Sequence, residues 1–486
     1  MDIDFRAWSR HASEWTADYL EGVRERPVRP DVEPGDLLSA LPSAPPTEAE
    51  PMEAIFADFE RLVPDAMTHW QHPRFFAYFQ SNAAPAAIVA EQLAAAMAAQ
   101  CMLWQTAPAA TELETRMVSW LGQAVGLPMK DAGGKGVDGG GVDGGFSGTM
   151  QDTASSATLA AVLTMRERAT ARRGNRMGLF GEKPVRIYAS GRTHSSIPKA
   201  LWVAGLGDDN LVRIPTGPGP LFPMDADALD AAIRADLENG FVPAGIVACV
   251  GGTSVGATDD IADVCDVAER HGLFVHVDAA WAGSAMVCPE YRSLWAGVER
   301  ADSLVFNPQK WLGTGMECSC HLVRDPQALV DTLAIRPSYL ATHGLGDGGA
   351  EGRVDYSEWS VTLGRRFRAL KVWFLLRAYG VEGLASRIRD HVRWSADLCE
   401  RLRAEPQFEI VTEPVLSLFS FRHERIAAAD LAEAINREGR IYLTAGDHDG
   451  TPMVRFVAGQ FETKEEDMDV AFDAITQAAM RLDGRA

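Results

Sequence analysis

Residues 274–312, FVHVDAAWAGSAMVCPEYRSLWAGVERADSLVFNPQKWL, constrain the fold more than any other stretch of this 486-residue chain. Two short apolar runs, Leu273–Val277 and Ser303–Phe306, read as buried strands of a parallel sheet, which lack the in–out alternation of half-exposed strands. Asp278 closes the first run, and Asn307 and Lys310 follow the second. In open α/β sheets, chemistry gathers outside the carboxyl ends of the strands. The pattern therefore predicts an acid and an amine aimed at one crevice. Lys310 could be a lysine whose stem lies on apolar surface with its head in water. Its position after a buried strand and before Trp311 and a glycine-containing turn favours a desolvated amine, which forms Schiff bases with carbonyl compounds.

Other segments repeat the strand-then-helix rhythm. PVRIYAS (184–190) and AGIVACV (244–250) read as strands, with a helix after GRTHSSIPKA and another over 261–271. His194 and Thr253 lie just past these two strands. Four such units predict a doubly wound α/β large domain with a mostly parallel sheet. GTMQDTASSATL reads as a turn running through Thr153, Ala154, Ser155 and Ser156 into a helix. Small hydroxyl residues at a helix start serve either as a plain N-cap or as a phosphate cradle assisted by the helix dipole. Residues 131–148 are glycine-rich and match neither the P-loop nor the dinucleotide fingerprint, so they read as a flexible surface loop. An aldehyde cofactor with a phosphate and a ring nitrogen that needs an acidic partner fits Lys310 and Asp278; pyridoxal phosphate has those properties.

The stretch HVDAAWAGSAMVCPEYRSLWAGVERADSLVFNPQKW resembles the pyridoxal-phosphate-dependent group II decarboxylases, in the aromatic-L-amino-acid decarboxylase branch. PDVEPGDL (30–37), THWQHPRFFAYF (68–79), ELETRMVSWLG (112–122), ASSATL (154–159), HSSIPKA (194–200) and LGRRFRALKVWF (363–374) resemble family blocks in family order. The resemblance implies a fold-type I enzyme that decarboxylates tryptophan, tyrosine, phenylalanine or DOPA. It implies Lys310, Asp278, His194 and Tyr339 as catalytic groups, with Tyr339 returning a proton to Cα from the neighbouring subunit. It implies cofactor contacts from Ala154, Ser155, His194, Thr253, Asp278, Ala280, Asn307 and Lys310. Phe79, Ser81, His194, Gln100 and Met102 fall at substrate-facing positions. Ser81 stands where the family usually has threonine, Gln309 where many relatives have histidine, and Gln100 and Met102 where bulky apolar residues are usual. The alternatives are an aromatic aldehyde synthase, which turns the carbanion over to oxygen, and a decarboxylase of a non-aromatic amino acid. Relatives of the aldehyde-forming kind replace the loop tyrosine or the stacking histidine, so the presence of both Tyr339 and His194 favours simple decarboxylation.

Composition narrows the partners. A net charge of −21, from 67 acids against 46 bases, argues against nucleic acid and anionic membrane. Seven scattered cysteines suggest reduced thiols and a cytoplasmic location. Cys318 and Cys320 form C-x-C without a matching pair, which argues against a zinc site. MDIDFRAW has no apolar core of a signal peptide, and the alanine-rich run 83–99 is too short and too polar to span a bilayer.

Phe5, Trp8, Ala12, Trp15, Tyr19 and Val23 recur at helical spacing, predicting an amphipathic helix over 2–23 with an aromatic stripe. The resemblance implies that this segment packs across a homodimer. Helices are expected over 52–63 and 86–103, and another from LGRRFRALKVWFLLRAYG. MECSCHLV (316–323) reads as a returning strand, and the Gly-rich 331–354 as a lid. Helices 386–403 and 463–482 around strands VLSLFSF and MVRFVA predict a small α+β domain. The expected divisions are an N-terminal helical dimerisation segment (1–80), a large cofactor-binding domain (81–384) and the small C-terminal domain (385–486).

Overall fold

The computed structural model describes residues 3–130, 144–335 and 354–484. The chain packs as two compact units, one of residues 81–390 and one of residues 1–80 with 391–486.

The 81–390 unit is built on a seven-stranded sheet. Its strands are β1 (Ser147–Gln151), β2 (Val185–Ser190), β3 (Leu211–Ile214), β4 (Val242–Cys249), β5 (Phe274–Asp278), β6 (Ser303–Phe306) and β7 (Ser319–Val323). Their spatial order is β1-β7-β6-β5-β4-β2-β3. The β3, β2, β4, β5 and β6 strands pair in parallel, and β7 runs antiparallel to both β6 and β1. Every residue of β5, β6 and β7 is buried, which explains their continuous apolar patterns.

Helix Ala154–Ala169 packs against β4, β5, β6 and β7. It comes close because the residues it buries include Ala154, Ala157, Ala160 and Ala161. Thr153 caps it, accepting from the Ser156 N–H at 3.4 Å. Helix Ile261–His271 is capped by Asp260 and stopped by Gly272 at φ 65°.

The other unit holds a four-stranded antiparallel sheet of β8 (Phe408–Val415), β9 (Leu418–His423), β10 (Thr444–His448) and β11 (Thr451–Val457), in the order β10-β11-β9-β8. Its core joins Phe419, Phe421 and Phe456 to the buried faces of helices Ala428–Arg437 and Glu466–Leu482. The N-terminal helix, Phe5–Gly22, buries no residue fully. Its stripe leans on helix Met52–Leu62, with the Trp8 and Phe56 rings 5.7 Å apart and Trp15 edge-on to Phe59 at 4.8 Å.

Several sequence expectations are corrected. The turn expected before Thr153 is strand β1, buried because it pairs with β7. The helix expected over 86–103 spans Pro85–Met97 and ends where Ala98 turns left-handed at φ 47°. VLSLFSF is not one strand, because Leu416 at φ 53° lies in the turn between β8 and β9. The helices expected around 363–403 form one element, Arg368–Ala404, broken at Gly380. Strand β3 and helices Ala226–Glu238 and Ala428–Arg437 lie outside the segments read from the sequence and are supplied by the structure. Among the described residues, no helix is long and apolar enough to cross a membrane.

Candidate active site

The registers of β4, β5 and β6 bring their carboxyl ends to one level: Cys249 lies opposite Asp278, and Asp278 opposite Val305. Asp278 is 8% exposed, and its Oδ1 accepts the Ala280 N–H at 3.0 Å. One strand over, the chain leaves β6 through Asn307 into a single helical turn, Pro308–Trp311, which carries Lys310.

That turn is fastened on several sides. The Asn82 side-chain amide donates to the Lys310 carbonyl at 2.7 Å, and the Asn82 N–H to the Gln309 carbonyl at 3.3 Å. The Gln309 N–H donates to the Cys318 carbonyl at 3.3 Å, and the Gln309 side-chain oxygen accepts the Cys318 N–H. Ser319 donates to the Asn307 side-chain oxygen at 2.6 Å. Trp281 and Trp311 stack with centroids 4.9 Å apart at 11°, both almost fully buried. Lys310 itself is half-buried.

His194 stands in the loop between β2 and helix Ser196–Val203. The backbone N–H of Ser196 donates to its Nδ1 at 3.1 Å, and the Ser196 hydroxyl lies 2.9 Å from the same nitrogen. A ring nitrogen that accepts an N–H carries no proton, so the neutral imidazole presents Nε2–H outward. Loss of water around the ring holds its pKa below the ordinary histidine value; Asp278 pulls it up and Lys310 pushes it down. Asp278, His194 and Lys310 therefore act on one another electrostatically.

The start of helix Ala154–Ala169 meets the same crevice. Ala154, Ala157 and Val305 form one apolar cluster with Ala280 packed against it. This cluster seats the helix N-terminus beside the ends of β5 and β6. The first backbone N–H groups of a helix have no intrahelical acceptor, so those of Ala154 and Ser155, with the exposed Ser155 hydroxyl, suit a phosphate. Thr253 is exposed in the turn after β4, close behind Gly251, where a Cβ would lie 2.6 Å from Ala282. A carboxylate for a ring nitrogen, an amine for an aldehyde and an anion cradle thus surround one space, and this donor set fits pyridoxal phosphate.

Not every residue named from the sequence gathers there. The Gln100 side chain accepts the Arg365 N–H at 2.8 Å, and the Met102 carbonyl accepts the Ser357 N–H at 3.0 Å, so both attach to residues 357–365. Ser81 is half-buried immediately before Asn82. Phe79 belongs to the other compact unit, is 8% exposed, and lies under the Arg455 guanidinium at 5.1 Å; burial pushes the Arg455 pKa down to about 10. Tyr339 and residues 131–143 of the glycine-rich stretch lie outside the described residues. Sequence reasoning missed Asn82, the Gln309–Cys318 clamp and the Trp281–Trp311 stack. Asn82, a polar residue between Ser81 and an alanine run, was the one with a local signal.

A lysine and an aspartate at the ends of neighbouring parallel strands, facing a helix N-terminus, define an α/β enzyme that works through an aldehyde cofactor held by its lysine. The comparisons with known proteins agree. Residues 34–424 match the pyridoxal-dependent decarboxylase conserved domain. The chain is 40% identical over 448 residues to an aromatic-L-amino-acid decarboxylase from Bos taurus, covering 90% of this chain and 88% of that one. It is 34% identical over 495 residues to a phenylacetaldehyde synthase from Petunia hybrida, covering 99% of this chain and 95% of the relative. Among solved structures, Oryza sativa TDC with PLP and tryptamine superposes with a TM-score of 0.90 at 35% identity, covering 99% of this chain and 98% of that one. The chain belongs to the pyridoxal-dependent decarboxylase family, and pyridoxal phosphate is its cofactor.

Proposed function

We propose that this enzyme removes CO2 from an aromatic L-amino acid, such as tryptophan, tyrosine, phenylalanine or DOPA, and releases the amine. The observation that carries the reading is the placement of Asp278 and Lys310 at the ends of β5 and β6, with His194 in electrostatic contact with both. Family relatives named for decarboxylation of tyrosine, tryptophan and aromatic L-amino acids support the substrate class.

When bound, the cofactor supplies the electron sink for cleavage at Cα. The chain supplies the rest. Lys310 would hold the aldehyde carbon, and Asp278 would pair with the ring nitrogen and raise its pKa, since an opposite charge favours the protonated form. Ala154 and Ser155 would hold the phosphate; Thr253, Ala280 and Asn307 would border the ring. His194 would pack over the ring and, with Nδ1 engaged by Ser196, offer Nε2–H to the substrate. Ser81 would border the substrate in its own subunit, and Gln100 and Met102 would approach the substrate held by the neighbouring subunit. Tyr339 would deliver the proton that replaces the lost carboxylate. Retention of His194 and Tyr339 together favours amine formation over the oxygen-consuming aldehyde route.

We assign the working form to a homodimer in which residues 1–80 help join the subunits and residues 81–384 and 385–486 act as the large and small domains. The exposed apolar side chains of Phe5, Val89, Leu93 and Met97 support pairing. The described cysteines are all free and buried, which supports a reducing, cytoplasmic setting.

Purified holoenzyme incubated with each of the twenty amino acids, with CO2, amine and hydrogen peroxide measured, tests the reading. Amine and CO2 in equal amounts from an aromatic substrate, lost in Lys310→Ala, are expected. Stoichiometric peroxide, or CO2 from non-aromatic substrates alone, overturns it.

A further inference from the structure

Lys310 sits in a helical turn of four residues, Pro308–Trp311, too short to supply partners for its own carbonyl groups. Two peptide planes meet at the lysine Cα. The plane before it carries the Gln309 carbonyl, which accepts the Asn82 N–H at 3.3 Å. The plane after it carries the Lys310 carbonyl, which accepts the Asn82 side-chain amide at 2.7 Å. Peptide units are rigid, so a residue that holds both planes sets φ and ψ at Lys310, and with them the direction of its Cα–Cβ bond. Asn82 is 2% exposed, and burying an amide is costly unless it is bonded.

Asn82 is in turn held by the backbone around it. Its carbonyl accepts the Gly315 N–H at 2.9 Å, Ala84 donates to the Gly313 carbonyl at 2.7 Å, and Ala83 pairs antiparallel with Thr314. Residues 82–84 thus run beside 313–315 as a short clasp. The two strips are close: a Cβ on Gly315, at φ 69°, would stand 3.1 Å from the Ala83 Cβ. The loop beyond is gripped as well, because the buried Lys371 ammonium donates to the carbonyls of Gly315, Met316 and Glu317 at 3.3, 3.0 and 3.4 Å. All these residues belong to the 81–390 unit.

We propose that Asn82 is the positioning residue that aims Lys310 at the cofactor aldehyde, through the two carbonyls that flank the lysine Cα. A long side chain fixed at its root searches a smaller volume than one whose root also turns, so its amine meets the reacting carbon more often. Ser81, next in the chain, borders the substrate in the reading above. One strip of chain therefore serves both the substrate and the backbone of the lysine. The proposal rests on Lys310 holding the cofactor and is independent of which amino acid is decarboxylated.

Holoenzyme stripped of cofactor and remixed with pyridoxal phosphate, with the absorbance of the lysine-bound form followed by stopped flow, tests this without any substrate. Asn82→Asp keeps the size of the side chain but turns an acceptor towards the Lys310 carbonyl. Asn82→Leu removes the donor without adding charge, and repeats the test where a buried carboxylate disturbs folding. Each is expected to slow capture roughly ten- to a hundredfold, and to lower kcat by a similar factor with KM within about twofold of the parent. Lys310→Ala is expected to show no such absorbance; its persistence overturns the lysine assignment and the proposal with it. Parent-like capture in either folded Asn82 variant, or a loss confined to melting temperature or to KM, overturns the proposal alone.

Discussion

Gln309 grips Cys318 from both ends: its N–H donates to the Cys318 carbonyl at 3.3 Å, and its side-chain oxygen accepts the Cys318 N–H. The residue before Lys310 is thereby bound to the backbone just ahead of β7, in a place where Gln309 is 5% exposed. Gln309→Ala leaves the Cys318 N–H buried without an acceptor, a loss of about 1–3 kcal/mol. The variant should still bind the cofactor through Lys310, yet lose roughly ten- to a hundredfold in kcat with little change in KM, because the amine is displaced and not removed. An unchanged kcat would contradict this role.

Glu114 and Arg365 form an ion pair whose side chains are 3% and 1% exposed. The same carboxylate oxygen accepts from the Thr149 hydroxyl and the Met150 N–H, both at 2.8 Å, and so fixes β1 just ahead of the helix that begins at Ala154. Glu114→Gln leaves the Arg365 charge buried and uncompensated, for which about 3–5 kcal/mol of stability is lost. Denaturant titration should report that loss together with weaker cofactor retention; a variant as stable as the parent refutes the assignment.

His276 and His321 are fully buried, and burial holds their pKa values at about 3 and about 4, against 6.5 for an ordinary histidine. The unfolded chain therefore takes up protons that the native chain refuses once pH drops below about 6.5. Their contribution is complete above that pH and is lost as pH falls towards 4, at up to about 1.4 kcal/mol per pH unit for each ring. The urea midpoint should be clearly lower at pH 5 than at pH 7, and the drop should be smaller in His321→Gln. Equal pH dependence in variant and parent excludes this source.

The parts of the molecule legible in its sequence are those whose cause is local. The β5 and β6 strands announce themselves as unbroken apolar runs, and Asp278 and Lys310 by ending them. Helix Ile261–His271 is legible through its Asp cap and its terminal glycine. Strand β1 escapes because SGTMQ has no periodicity of its own; β7, distant in the chain, makes it a strand. Glu114 and Arg365 escape for the same reason, their partnership spanning 251 positions. The Gln309 clamp is a property of packing, visible only once the backbone is in place.

The edge position of β1 has a consequence for biosynthesis. Its neighbour in the sheet is β7, so the strand that leads into helix Ala154–Ala169 waits for a partner made much later in translation. Non-local pairing of this kind slows folding, and the nascent protein holds an unmated edge until the ribosome has passed residue 323. Assembly of this region is thereby tied to completion of the sheet: a polypeptide truncated before Ser319 would possess Lys310 and Asp278 but lack the strand that pairs with β1 ahead of helix Ala154–Ala169.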